Sequence, residues 1–169
     1  TAYTDSNGDR FVSNKALSPS GSYDGAINSG NPMDFQGGQV VECGNIGKTF
    51  TEQRASFLFG FTPSVFNGGY IIRTSANPTA MVRSNGALSF YIDGAIFDFS
   101  PLIIGQRYDI GFIIDNGTLK VSIDGLITDT ISCGNIDLNC LVNLRLGGST
   151  GSAYSDCGLE YVAIIDDAI

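Results

Sequence analysis

The chain has 169 residues, 43% of them hydrophobic and 15% charged, with 22 glycines, the composition of a turn-rich globular protein most simply read as one domain. Asp and Glu number 17 against 9 Lys and Arg, a formal charge of −8 with the basic residues scattered, which argues against nucleic acid or anionic membrane surfaces as partners. No apolar run approaches the roughly 20 residues that span a bilayer, so no membrane insertion is expected, and with no histidine there is no Ser-His or Cys-His dyad for acyl transfer.

In chain order, residues 1–30 come first, rich in Ser, Asn, Gly and Asp and poor in apolar side chains. They read as a polar N-terminal arm or linker ahead of a folded body over 31–169. The start at Thr1 fits Met removal, leader cleavage or excision from a longer protein. Within the arm, Asp5, Asn7 and Asp9 supply oxygen ligands at the spacing of a calcium loop, so Ca2+ is the cofactor the sequence allows. Arg10 then occupies the expected glycine and Ala16 the expected bidentate glutamate; an Asx-rich terminus accounts for the same residues.

Strand patterns follow at short spacing. Residues 54–61 place Phe57, Phe59 and Phe61 on one face, since successive side chains of a strand alternate. Apolar runs recur over 69–73, 80–83 and 87–92, and later over 142–146 and 159–165. Between 108 and 125 the pattern is clearest: Tyr108, Ile110, Phe112 and Ile114 alternate, Asn116-Gly117 intervenes, and Leu119, Val121 and Ile123 alternate again. Asn-Gly supplies the positive φ angles of a tight hairpin turn. Asn67-Gly68, Asn85-Gly86, Asp93-Gly94 and Asp124-Gly125 punctuate the other runs. No segment carries a helical apolar stripe long enough for a major helix, so the chain is read as all-β, a sandwich or barrel.

The cysteines are Cys43, Cys133, Cys140 and Cys157. They permit two disulfides in three pairings or four reduced thiols, and no Cys-x-x-Cys pair suggests zinc. Cys43-Gly44-Asn45-Ile46 recurs as Cys133-Gly134-Asn135-Ile136, which similar turns after strands explain.

Tyr23-Asp24-Gly25-Ala26 followed by the Phe35 turn and the valines Val40 and Val41, then Ser56 to Phe61, the central hairpin, Leu144-Arg145-Leu146-Gly147-Gly148 and the closing run from Gly158 to Ile165 together resemble the concanavalin A-like, laminin-G-like jelly-roll superfamily. The resemblance covers about residues 20–169 and departs from the family in lacking Trp, with Phe59 or Phe61 in its place. It implies a two-sheet antiparallel jelly-roll sandwich of roughly six or seven strands per sheet. It also implies that opening and closing strands are neighbours, which would pair Cys43 with Cys157 and leave Cys133 with Cys140.

Some relatives in that family cleave glycans with carboxylates alternating on one strand. Cleavage needs two carboxylates about 5 Å apart, or more for inversion. The glutamates are only Glu42, Glu52 and Glu160, and no strand carries such a triplet, so a hydrolase is the third reading. The family's commonest use is sugar binding, through an aromatic platform and Asx groups. Tyr70, Tyr91 and Tyr108 on strands and Tyr154 in a loop are the candidate contacts, against a packing role for each. Asn116-Gly117-Thr118 is a glycosylation sequon that its hairpin role also explains. The expected function is therefore a non-enzymatic, lectin-like module of a virion fibre, appendage or cell-surface adhesin, extracellular and multivalent or homo-oligomeric. The alternative is a structural virion or capsid decoration that binds only protein.

Overall fold

The computed structural model describes residues 2–4, 10–13, 33–35, 41–44, 53–73, 79–92, 94–136, 144–147, 156–165 and 168. Its strands are β1 (Ala2–Thr4), β2 (Arg10–Ser13), β3 (Met33–Phe35), β4 (Val41–Gly44), β5 (Arg54–Pro63), β6 (Tyr70–Arg73), β7 (Thr79–Val82), β8 (Ala87–Ile92), β9 (Ala95–Pro101), β10 (Tyr108–Asp115), β11 (Thr118–Ile123), β12 (Leu126–Ser132), β13 (Leu144–Leu146) and β14 (Cys157–Ile165). Among the described residues there is no helix.

The central hairpin forms as the alternation demands. Asn116 and Gly117 adopt φ of 47° and 81°, and Asp115 pairs with Thr118 directly across the turn. Positive φ at both central residues matches the right-handed twist of the flanking strands, so the two strands stay in register. β10 then lies between β11 and β5, in a larger sheet ordered β1-β2-β14-β5-β10-β11-β12, with β3 also paired to β14. The smaller sheet runs β4-β13-β6-β7-β8-β9, and every pairing in both sheets is antiparallel. The counts are eight and six strands among the described residues, close to the expected six or seven each.

Phenylalanines join the sheets. Phe57, Phe59 and Phe61 do share the inward face of β5, none more than 3% exposed. Phe112 of β10 stacks on Phe90 of β8 across the interior, with ring centroids 4.3 Å apart and planes 18° from parallel. Phe59 and Phe99 tilt against the same ring at 6.0 and 5.8 Å. Each such ring removed from water contributes about 1.5–3 kcal/mol, before the entropy of ordering it.

Of the expected arm over 1–30, the described residues 2–4 and 10–13 are β1 and β2 of the larger sheet, and β2 pairs with β14 from Tyr161 to Ile164. The neighbours of β14 are β2, β3 and β5, whereas Cys43 sits on β4 of the other sheet. Cys157 is fully buried, and the Cys43 side chain lies outside the described residues.

Candidate functional site

Alternation along β10 sends Tyr108, Ile110, Phe112 and Ile114 inward and leaves Asp109, Gly111, Ile113 and Asp115 on the outer face of the larger sheet. Gly111 raises no side chain from that face, and its cross-strand neighbours are Leu58 on β5 and Ser122 on β11. On β5 the same gap recurs at Gly60, aligned with Asp109 on one side and Tyr161 of β14 on the other. A glycine inside a strand marks a bulge or a place where other atoms approach the backbone closely.

β14 bulges between Leu159 and Tyr161. The extra residue lets Leu159 and Val162 both join the core, while Glu160 and Tyr161 stay half-buried outside it. A second irregularity interrupts the β11–β12 pairing at Val121 and Ser122. Bulged strands bend, and Gly111 lowers the floor between them. The result is a shallow groove of about 290 Å³, floored by Leu58, Gly111 and Ile113 and edged by Asp109, Ser122 and Tyr161. It crosses β14, β5, β10 and β11, so it is roughly 14 Å wide at ordinary strand spacing.

Its polar edge is tightly bonded. Arg107 Nε donates to both carboxylate oxygens of Glu160, at 2.8 and 2.9 Å. Its Nη1 and Nη2 donate to Asp109 Oδ2 and Oδ1, at 2.8 and 2.9 Å. The Tyr161 hydroxyl donates to Asp109 Oδ1 at 2.9 Å, and the Asp109 amide donates to Asp124 Oδ1 at 2.8 Å. The Tyr161 ring lies over Gly60, because a Cβ built there would come within 2.6 Å of its Cε1.

These contacts set the charge states. Hydrogen bonds from Arg107, and then from Tyr161, hold the Asp109 carboxyl below the usual carboxylate range, against the opposing effect of its burial. Burial first, and the bond to Asp109 second, push the Tyr161 hydroxyl up to about 12. Asp109 and Glu160 are thus a carboxylate pair brought together in space, which the strand pattern did not offer. Glycoside cleavage needs one partner kept protonated by a raised pKa. Arg107 binds both carboxylates and keeps Asp109 ionised. A phenolic nucleophile would need the reverse of the shift that Tyr161 shows. The arrangement is suited to accepting hydrogen bonds from a ligand.

The expected tyrosines fall elsewhere. Tyr108 is 6% exposed in the core and its hydroxyl accepts the Ile103 N–H at 2.8 Å, so it packs there and anchors a loop. Tyr70 and Tyr91 are half-buried on the smaller sheet, and Arg73 sits 4.9 Å from the Tyr70 ring centroid. With β7 between their strands, Tyr70 and Tyr91 stand about 12 Å apart. Beside them Ser89, fully buried, donates to Asp98 at 2.5 Å and accepts from Arg83 Nε at 3.0 Å. The Ser89 bond, with help from Arg83, holds the Asp98 carboxyl below its usual range. Tyr154, Asp5, Asn7, Asp9 and Cys140 lie outside the described residues. Cys133 is a half-buried free thiol whose pKa burial raises. Among the described residues no three Cys, Asp or Glu side chains gather as a metal site.

Sequence reasoning missed Arg107, Asp109, Glu160 and Tyr161. Two signals were present. Arg107 and Asp109 are two apart at the start of a strand, hence on one face, and Gly60 and Gly111 interrupt otherwise bulky strands.

No protein-family model matches the chain, and no curated protein matches it in sequence. Solved structures match its fold. A mutant of Trypanosoma rangeli sialidase displaying trans-sialidase activity gives a TM-score of 0.64 at 15% identity, over 94% of this chain and 30% of the sialidase chain. A proposed carbohydrate-binding protein from Bacteroides ovatus gives 0.61 at 14% identity, over 80% of this chain and 43% of that one. The heptameric SAP-like pentraxin from Limulus polyphemus gives 0.57 at 15% identity, over 80% of this chain and 76% of that one. The chain therefore spans less than a third of the sialidase it matches. At these identities the likeness is one of fold alone.

Proposed function

We propose that this chain, a concanavalin A-like jelly-roll sandwich, is a non-enzymatic recognition module whose ligand is a glycan. The observation that carries the reading is the groove on the larger sheet. A sugar ring has an apolar C–H face and a rim of hydroxyls. The groove sets an apolar floor of Leu58, Gly111 and Ile113 beside the Tyr161 ring, with Asp109 and the Ser122 hydroxyl at its edge. Arg107 and Tyr161 already fix Asp109 in place, so little side-chain entropy is lost on binding. The B. ovatus neighbour, a proposed carbohydrate-binding protein, supports the reading.

So shallow a site binds weakly alone, and tethered copies raise avidity by about 10²–10⁴. A virion fibre, an appendage or an adhesin outside the cell would supply that multiplicity, as would a homo-oligomer; the pentraxin neighbour is a heptamer. Calcium at Asp5, Asn7 and Asp9 is a further part of the proposal.

The test is a broad glycan array probed with multivalent wild type and with Gly111→Val, in calcium and in chelator. A Cβ at Gly111 meets the Leu58 Cδ2 methyl at 3.1 Å and Ser122 Cβ at 3.4 Å, so the flexible end of Leu58 must shift by a few tenths of an ångström to admit valine, whose branched side chain suits a strand and fills the floor. Wild type should bind one glycan class, and the variant, shown folded by a cooperative thermal transition, should lose at least about tenfold, or 1.4 kcal/mol. Equal binding by the variant would move the site off this groove. Silence from wild type would favour the protein-binding alternative. That reading draws on Ile103 and Ile104, 62% and 53% exposed, beside Val65 at 47%, where the Gly105 amide ties their loop to the Pro63 carbonyl.

A further inference from the structure

We infer that the groove accepts neutral saccharides and discriminates against sugars bearing a carboxylate or sulfate, an inference that rests on the glycan reading above. Three carboxylates surround its polar edge, Asp109, Asp124 and Glu160, against the single guanidinium of Arg107. The balance is two negative charges. Arg107 turns three of its five N–H groups toward these carboxylates, its Nε, Nη1 and Nη2 donating to Glu160 or Asp109 at 2.8–2.9 Å, so its single charge is shared among them and the edge stays net negative toward a ligand. The one proton of the Tyr161 hydroxyl is committed to Asp109 Oδ1. Other cations on these strands are drawn away. Arg54 and Lys120 lie 3.5 and 3.8 Å from Asp115, at the far end of β10, about 20 Å along the strand from Asp109.

Besides the Ser122 hydroxyl and the two remaining N–H groups of Arg107, the edge offers the acceptor capacity of its carboxylates. A carboxylate oxygen takes two hydrogen bonds, and Asp109 Oδ2 receives one, from Arg107. The hydroxyl hydrogens of a neutral sugar match that vacancy. An acidic sugar brings a like charge, and its carboxylate or sulfate has no hydrogen to give. Juxtaposed like charges act chiefly on specificity, rejecting one partner while leaving another unaffected.

The experiment compares, on the array, each neutral glycan that wild type binds with the same glycan capped by sialic acid or sulfate. Capped forms should bind at least about tenfold more weakly at about 20 mM salt, with the gap narrowing toward about 500 mM as screening shortens. Capped glycans that bind equally or better would overturn the inference and leave the glycan reading standing. A gap that salt does not narrow would overturn its electrostatic basis. Silence on every glycan, neutral and acidic, would instead remove the glycan reading and this inference with it.

Discussion

Replacing Gly60 by alanine should unseat Tyr161. A Cβ at that position would stand 2.6 Å from Tyr161 Cε1, 2.9 Å from Cδ1 and 3.3 Å from Glu160 Cβ. Carbon atoms pack at about 3.5–4 Å, so the ring must retreat by roughly 1 Å. The Tyr161 hydroxyl now lies 2.9 Å from Asp109 Oδ1, and a retreat of that size carries it past about 3.5 Å, where the bond is lost. A hydrogen bond to a charged group contributes about 1.5–3 kcal/mol. Asp109 is near water, so the lower end applies. Alanine in place of glycine within a strand returns about 0.5–1 kcal/mol. The net loss is about 1 kcal/mol, or about 2–4 °C in melting temperature for a chain of this size. Two assays read it: thermal unfolding, and NMR titration of ring-labelled tyrosine. In the variant the Tyr161 midpoint should fall from about 12 toward the ordinary 10. An unchanged melting temperature together with an unchanged midpoint would show that the ring is not held over Gly60, and would refute the reasoning.

Phe112→Ala removes a fully buried ring that touches Phe90, Phe59 and Phe99, and should cost about 3–5 kcal/mol in urea unfolding; a loss under about 1 kcal/mol would mean that the sheets are not joined there. Stability should fall at both pH extremes. Asp109, whose pKa is lowered, stabilises above the ordinary carboxylate value of about 4 and stops doing so as pH drops through its folded pKa. Tyr161, whose pKa is raised, stabilises fully below pH 10 and ceases to as pH climbs through about 12. Asp109→Asn should shrink the acid limb, and an unaltered limb in that variant would contradict the assignment. Cys133, its thiol raised by burial, should alkylate more slowly at neutral pH than an exposed cysteine, followed by peptide mass mapping; labelling at the exposed rate would contradict its placement.

The hairpin was legible because two local signals agreed, strict alternation and Asn116-Gly117, and Asp124-Gly125 repeats the turn with φ of 52° and 80°. The inward phenylalanines of β5 followed from the same period. β12 went unread since it is a half-polar edge strand whose register shifts at a bulge. The site was hidden for two further reasons. Period 2 assigns Leu159 and Tyr161 to one face, and only the bulge at Glu160 turns Tyr161 outward. Arg107 and Glu160 are 53 residues apart and meet only because β5 lies between β10 and β14. Alternation puts Tyr108 on one face with Ile110, Phe112 and Ile114, and all four are buried there.

The position of β14 also governs when the molecule can come together. β5 finds β10 within the middle of the chain, but its other edge is filled by β14, where Phe57 opposes Ile164 and Ser56 opposes Ile165. A nascent chain therefore carries β5 with a row of unsatisfied amides and carbonyls until nearly all of these residues have left the ribosome. Non-local closure of this kind is slow, and a waiting strand edge invites pairing with another copy. Chains that stop short of Cys157 should accumulate as aggregates, and production should improve wherever elongation is slow enough, or a holding chaperone abundant enough, to keep that edge occupied until β14 arrives.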